Sequence, residues 1–118
     1  MNSFKKFLKG FEYAGQGIKA SIVEQRNLKV QAVISLVVVV AGFYFDITVI
    51  EWCVILFAIA LVMGLEMMNS AVESLVDLVS PDYKPLAGRV KDIAAGAVLF
   101  AAILAAIIGV LIFGQYFF

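Results

Sequence analysis

Three stretches of this chain are apolar enough to cross a bilayer, and together they take up about half of its 118 residues. They run from about Leu28 to Phe45, from about Ile50 to Met68, and from Ile93 to Phe113. The second is interrupted only by Glu51 and Glu66, the third carries no charge, and the first is short and holds Gln31 and Ser35. About 20 apolar residues match the hydrocarbon thickness as a helix, the one open structure that satisfies its own backbone groups there. With 64% hydrophobic residues and a mean hydropathy of +1.03, no polar shell is left for a soluble fold. The fold class expected is therefore an all-α membrane protein. It forms one domain over 1–118, with a surface helix over 1–25 and membrane helices over 28–45, 50–79 and 87–115, the last two reaching into the interface.

The net charge is zero, yet the signs are segregated. Lys5, Lys6, Lys9, Lys19, Arg26 and Lys29 precede or open the first span, and Lys84, Arg89 and Lys91 lie between the second and third. The loop between the first two spans has only Asp46 and Glu51. Positive charge marks the cytoplasmic side, which places the N-terminus and the 77–92 segment inside and the C-terminus outside. Tyr44, Trp52, Tyr116, Phe117 and Phe118 then fit an aromatic belt on the outer face.

Ahead of the first span, Phe4, Phe7, Leu8, Phe11, Ile18 and Ile22 fall within about 100° on a helix, with Lys5, Lys6, Lys9, Glu12, Gln16 and Lys19 opposite. This pattern predicts a basic amphipathic helix on the cytoplasmic membrane surface, in contact with lipid headgroups. It is no cleavable leader, because it lacks a continuous apolar core.

The second stretch continues as Gly64-Leu65-Glu66-Met67-Met68-Asn69-Ser70-Ala71-Val72-Glu73-Ser74-Leu75-Val76-Asp77. At 3.6 residues per turn, Glu66, Asn69, Ser70, Glu73 and Asp77 form one polar stripe roughly 16 Å long. Ionisable groups at membrane depth are costly and point to function. Asn69 and Ser70 alone would suit interhelical hydrogen bonds, but carboxylates build interfaces poorly. Asp77 either shares in the stripe's chemistry or only caps the helix end, which Pro81 forces.

The chain has no His and only Cys53, which excludes imidazole chemistry, thiol clusters and an intrachain disulfide. Chemistry is left to carboxylates, amides and lysines. Glu73 and Asp77 lie nearer the cytosol than Asn69, and Lys91 and Asp92 open the third span at a similar level. Hard oxygen donors and a Lys suit a Mg²⁺-bound polyphosphate, and Glu66, about 10 Å deeper by helix rise, suits a proton acceptor. No P-loop and no kinase-type Gly-rich loop is present.

The block Glu66-x-x-Asn69-Ser70-Ala71-x-Glu73-x-x-Val76-Asp77, followed by Ser80-Pro81-Asp82-Tyr83, Leu86-Ala87 and Lys91-Asp92-x-Ala94-Ala95-Gly96-Ala97-Val98, resembles the small prokaryotic diacylglycerol kinase and undecaprenol kinase family. The likeness extends from Tyr13-Ala14 and Gly17 through Arg26-Asn27 and Glu51-Trp52 to the third span. It implies a homotrimer in the bacterial inner membrane, with active sites shared between subunits, that uses ATP and Mg²⁺ to phosphorylate a lipid alcohol.

By position, the resemblance makes Glu66 the general base, Asn69 a holder of the reacting groups and Glu73 a metal ligand. Lys6, Tyr13, Gln25, Glu73, Asp82, Tyr83, Lys84, Lys91 and Asp92 would serve the nucleotide, and Glu66, Ser70 and Ala95 the lipid. The family's second metal-binding Glu falls on Gln25, with Glu24 one residue earlier, so either Gln25 ligates through its amide oxygen, Glu24 substitutes, or a water fills the place. Ala95 stands where some diacylglycerol-preferring relatives have Ser, which leans toward undecaprenol. No nucleic-acid partner is expected.

Two rival readings are a small proton-coupled multidrug exporter and a structural membrane oligomer. An exporter with one embedded Glu needs neither the basic surface helix, nor the second carboxylate, nor the Lys91-Asp92 pair.

Overall fold

The computed structural model describes residues 2–117, in four helices and no strand among them: α1 Ser3–Glu24, α2 Arg26–Phe45, α3 Val49–Val79 and α4 Pro85–Phe117. Three of them, α2, α3 and α4, have the length and hydropathy of membrane spans. The molecule is a slab of 52 × 44 × 21 Å, roughly two helix diameters thick. Few side chains can be enclosed in such a slab, and most of the apolar surface is left for lipid or other chains.

α1 starts where the Asn2 side chain accepts the Lys5 N–H at 2.8 Å, which satisfies one of the free donors of the first turn. No α1 residue is buried, and Phe4, Phe7 and Phe11 are 62–68% exposed, so this chain supplies no cover for the apolar face. One extended residue, Gln25, breaks α1 from α2. Its N–H donates to the Ser21 carbonyl and its carbonyl accepts the Lys29 N–H, so the break leaves its backbone groups paired.

α2 ends in a Schellman arrangement: Asp46 takes the left-handed conformation at φ 53, its N–H donates to Phe43 O, and the Ile47 N–H reaches Gly42 O. Thr48 and Glu51 then form a capping box that opens α3. At 1.5 Å per residue, the 31 residues of α3 extend about 46 Å, well beyond a hydrocarbon core of about 30 Å. That surplus carries the polar stripe out to the interface. α4 begins at Pro85, two residues before the position expected from hydropathy, because Pro loses nothing at the first helical position, where its missing N–H would have no partner.

A hydrophobic cluster joins the C-terminus of α2, the start of α3 and the end of α4, around Ile47, Ile55 and Ile112. Trp52 and Tyr116 belong to this packing and are half-buried. Tyr44 and Phe117 do stand exposed, and Phe118 lies outside the described residues. Glu51 clasps the same end: its carboxylate accepts from the Tyr116 hydroxyl at 2.5 Å and from the Gln115 amide.

Gly42 makes this end possible, since a Cβ there would sit 2.6 Å from Trp52 Cη2 and 2.8 Å from Cζ2. Gly42→Ala should therefore cost about 1–3 kcal/mol by overpacking. A lowered melting temperature in detergent, with a shift in the emission of Trp52, the single tryptophan, is the expected result.

Candidate active site

Three residues of α3 are buried, and two of them are Glu66 and Asn69. In a slab that leaves most of its leucines and phenylalanines exposed, enclosing a carboxylate and an amide runs against the usual order of burial. Glu66 is 5% exposed, and its carboxylate makes no hydrogen bond or ion pair with any of the described residues. Asn69, at 9%, donates through Nδ2 to Glu73 Oε1 at 3.4 Å, while its Oδ1 is buried without a partner. An amide oriented at one end and free at the other is a poor stability device and a good ligand. Glu73, one turn on, is exposed, and Ser70 beside Asn69 is half-buried.

Where α3 gives way to α4, a polar pocket of about 250 Å³ is lined by Asp77, Ser80, Pro81, Asp82, Tyr83, Gly88, Lys91 and Asp92. Pro81 stops α3, and the Ser80 hydroxyl donates to the Asp82 carbonyl at 2.9 Å, which shapes the turn. A Cβ on Gly88 would stand 3.1 Å from Tyr83 Cε2, so the glycine lets the tyrosine ring lie close over the first turn of α4. Lys91 Nζ pairs with Asp77 Oδ1 at 2.6 Å. The Glu73 carboxylate also lies within electrostatic range of Lys91, which links the pocket to the stripe.

The fold thus gathers Asp82, Tyr83, Lys91 and Asp92 around one pocket and strings Glu66, Asn69 and Glu73 along one helix leading to it. Lys84 lies in an adjoining cleft, on the side of Leu75, Val79 and Leu86. Lys6 and Tyr13 are exposed on α1, outside the pocket's lining, and Ala95 is exposed on α4. Glu24 is exposed and Gln25 half-buried at the α1–α2 break. Among the described residues no three His, Cys, Asp or Glu side chains come together as a metal cluster.

Two features went beyond the sequence reading. The Asp77–Lys91 pair spans two helices, and only its opposite charges on either side of a helix break hinted at it. Gln31 Oε1 is buried without a partner beside an apolar cleft of about 300 Å³ between α2, α3 and α4. Its signal was a lone amide in an apolar stretch.

The sequence profile described as prokaryotic diacylglycerol kinase matches residues 12–113. The chain belongs to this family. It is a lipid kinase, similar to the undecaprenol kinase of Bacillus subtilis (strain 168) at 39% identity over 95% of this chain and 91% of that protein. It is also similar to the diacylglycerol kinase of Escherichia coli (strain K12), at 31% over 97% and 93% respectively. The diacylglycerol kinase of Synechocystis sp. is 41% identical over 86% of this chain and 59% of its own length.

A buried carboxylate without a partner costs stability, and its neutralisation should not unfold the protein. Glu66→Gln is expected to keep or raise the melting temperature in detergent. A large fall would show that Glu66 knits the helices together.

Proposed function

We propose that the chain transfers the γ-phosphoryl group of ATP to the hydroxyl of a membrane lipid alcohol at the cytoplasmic interface of the bacterial inner membrane, with its N-terminus inside. The observation that carries this reading is the unpaired Glu66 carboxylate, buried about 10 Å by helix rise from the exposed Glu73. Such a spacing separates a lipid hydroxyl, held near the headgroup level, from a nucleotide on the aqueous side.

In this mechanism Glu66 accepts the proton of the lipid hydroxyl as its oxygen bonds to the γ-phosphorus and the bond to the ADP oxygen breaks. Asn69, anchored to Glu73, directs its free Oδ1 toward the reacting groups. Lys91 neutralises phosphate charge from the polar pocket, with Asp82, Tyr83 and Asp92 around the rest of the nucleotide and Lys84 on its flank. Lys6 and Tyr13 of α1 complete the nucleotide site, and Ser70 and Ala95 the lipid site.

The donors also suit Mg²⁺. Glu73 and the orphaned Asn69 oxygen are hard ligands one turn apart, and Mg²⁺ needs only one or two protein carboxylates when phosphates supply the rest. When bound, the ion screens charge on the phosphoryl oxygens. Glu24, with Gln25, is the second proposed contributor.

The assembly proposed is a homotrimer whose sites are shared, so that α1 of a neighbour covers what one chain leaves open. Undecaprenol is proposed ahead of diacylglycerol on the strength of Ala95. Overall identity does not separate the two, because relatives named for each lie at 39% and 41%.

The direct test is Glu66→Gln, which should lower lipid phosphorylation by about 10²-fold or more while ATP binding survives, as expected for loss of a general base. Near wild-type turnover would sink the assignment. For the metal, Glu73→Gln should raise the Mg²⁺ concentration for half-maximal activity, and Glu24→Ala should do so more than Gln25→Ala. If only Gln25→Ala disturbs the titration, the amide is the ligand and Glu24 a solvated bystander.

A further inference from the structure

Asp77 stands where helix electrostatics disfavours it. It lies in the last turn of α3, whose exposed carbonyls already make that end negative, and one turn from the like-charged Glu73. Nor does it cap the helix, for the closing bond runs from the Ser80 N–H to Val76 O. Its carboxylate crosses to α4 and holds Lys91 at 2.6 Å, with the two side chains 66% and 38% exposed. A charge that opposes its own helix and spends its contact on the one lysine of the polar pocket points to function more than to stability.

We propose that Asp77 is a positioning residue that fixes the Lys91 ammonium for the nucleotide phosphates. This rests on the reading of Lys91 as a nucleotide ligand. A lysine ammonium sits on a flexible four-carbon stem and carries three N–H donors. One donor goes to Asp77, and two remain for phosphate oxygens. With the stem already ordered, less conformational freedom is lost when the nucleotide arrives. Asp82 and Asp92 share the pocket and would repel an unneutralised polyphosphate, so the placement of the single lysine matters more than its charge alone.

The test uses the full chain in detergent with saturating Mg²⁺, varying ATP at fixed lipid and then lipid at fixed ATP, alongside thermal unfolding. Asp77→Asn should raise the KM for ATP about three- to fivefold, the range open to an exposed ion pair, with the effect on KM and not on kcat. The lipid KM should stay put, and the melting temperature should hold or rise. Asp77→Glu should recover part of the ATP affinity, and Asp77→Asn combined with Lys91→Gln should do no more than Lys91→Gln alone. If Lys91→Gln raises the KM for ATP but Asp77→Asn does not, the inference falls and the nucleotide role of Lys91 stands. If Lys91→Gln itself leaves that KM unchanged, the underlying reading falls and takes the inference with it. A lowered melting temperature for Asp77→Asn with unchanged KM would make the pair structural and overturn the proposal.

Discussion

Hydrocarbon offers a backbone amide no partner, and every larger feature of this protein follows from that constraint. Each span must be a helix that closes its own hydrogen bonds, and each helix end must be capped or carried to the interface. The chain does both. Asp46, Thr48 and Glu51 finish one helix and begin the next within a few residues, and α3 runs on until Pro81 stops it in a polar setting. A buried apolar cluster forms at the Trp52 end, where Gly42 admits the indole ring and Glu51 ties α3 to α4. The opposite end, held across α3 and α4 by the Lys91–Asp77 pair, is open and polar.

That asymmetry separates the part of the molecule that holds the fold from the part where chemistry is proposed. Glu66 is buried and Asn69 beside it keeps an unpartnered amide oxygen, while Glu73 and the 77–92 pocket face outward. A buried carboxylate and an amide oxygen without a donor both cost stability that an apolar filler would not. Membership of the prokaryotic diacylglycerol kinase family supplies a reaction class, and this arrangement is the site proposed for it.

The helices were legible in the sequence because hydropathy and helical period are local properties. The stripe from Glu66 to Asp77 could be read from spacing alone, since 3.6 residues per turn dictates which side chains share a face. Contacts between helices were not legible. Nothing local says that Trp52 lies over Gly42, that Tyr116 bonds Glu51, or that Asp77 reaches Lys91 and leaves the helix end to Ser80. Lys6, Tyr13 and Glu24 entered through resemblance to a family, and they lie on α1, outside the pocket's lining.

Phosphorylation of a lipid alcohol by the polar stripe of α3 and the open pocket together is tested by transfer of label. Purified protein in detergent, given γ-labelled ATP, Mg²⁺ and either undecaprenol or diacylglycerol, should move the label into the organic phase as a lipid phosphate, faster with undecaprenol. Label that remains in ATP, or is released only as inorganic phosphate whichever lipid is supplied, would contradict it.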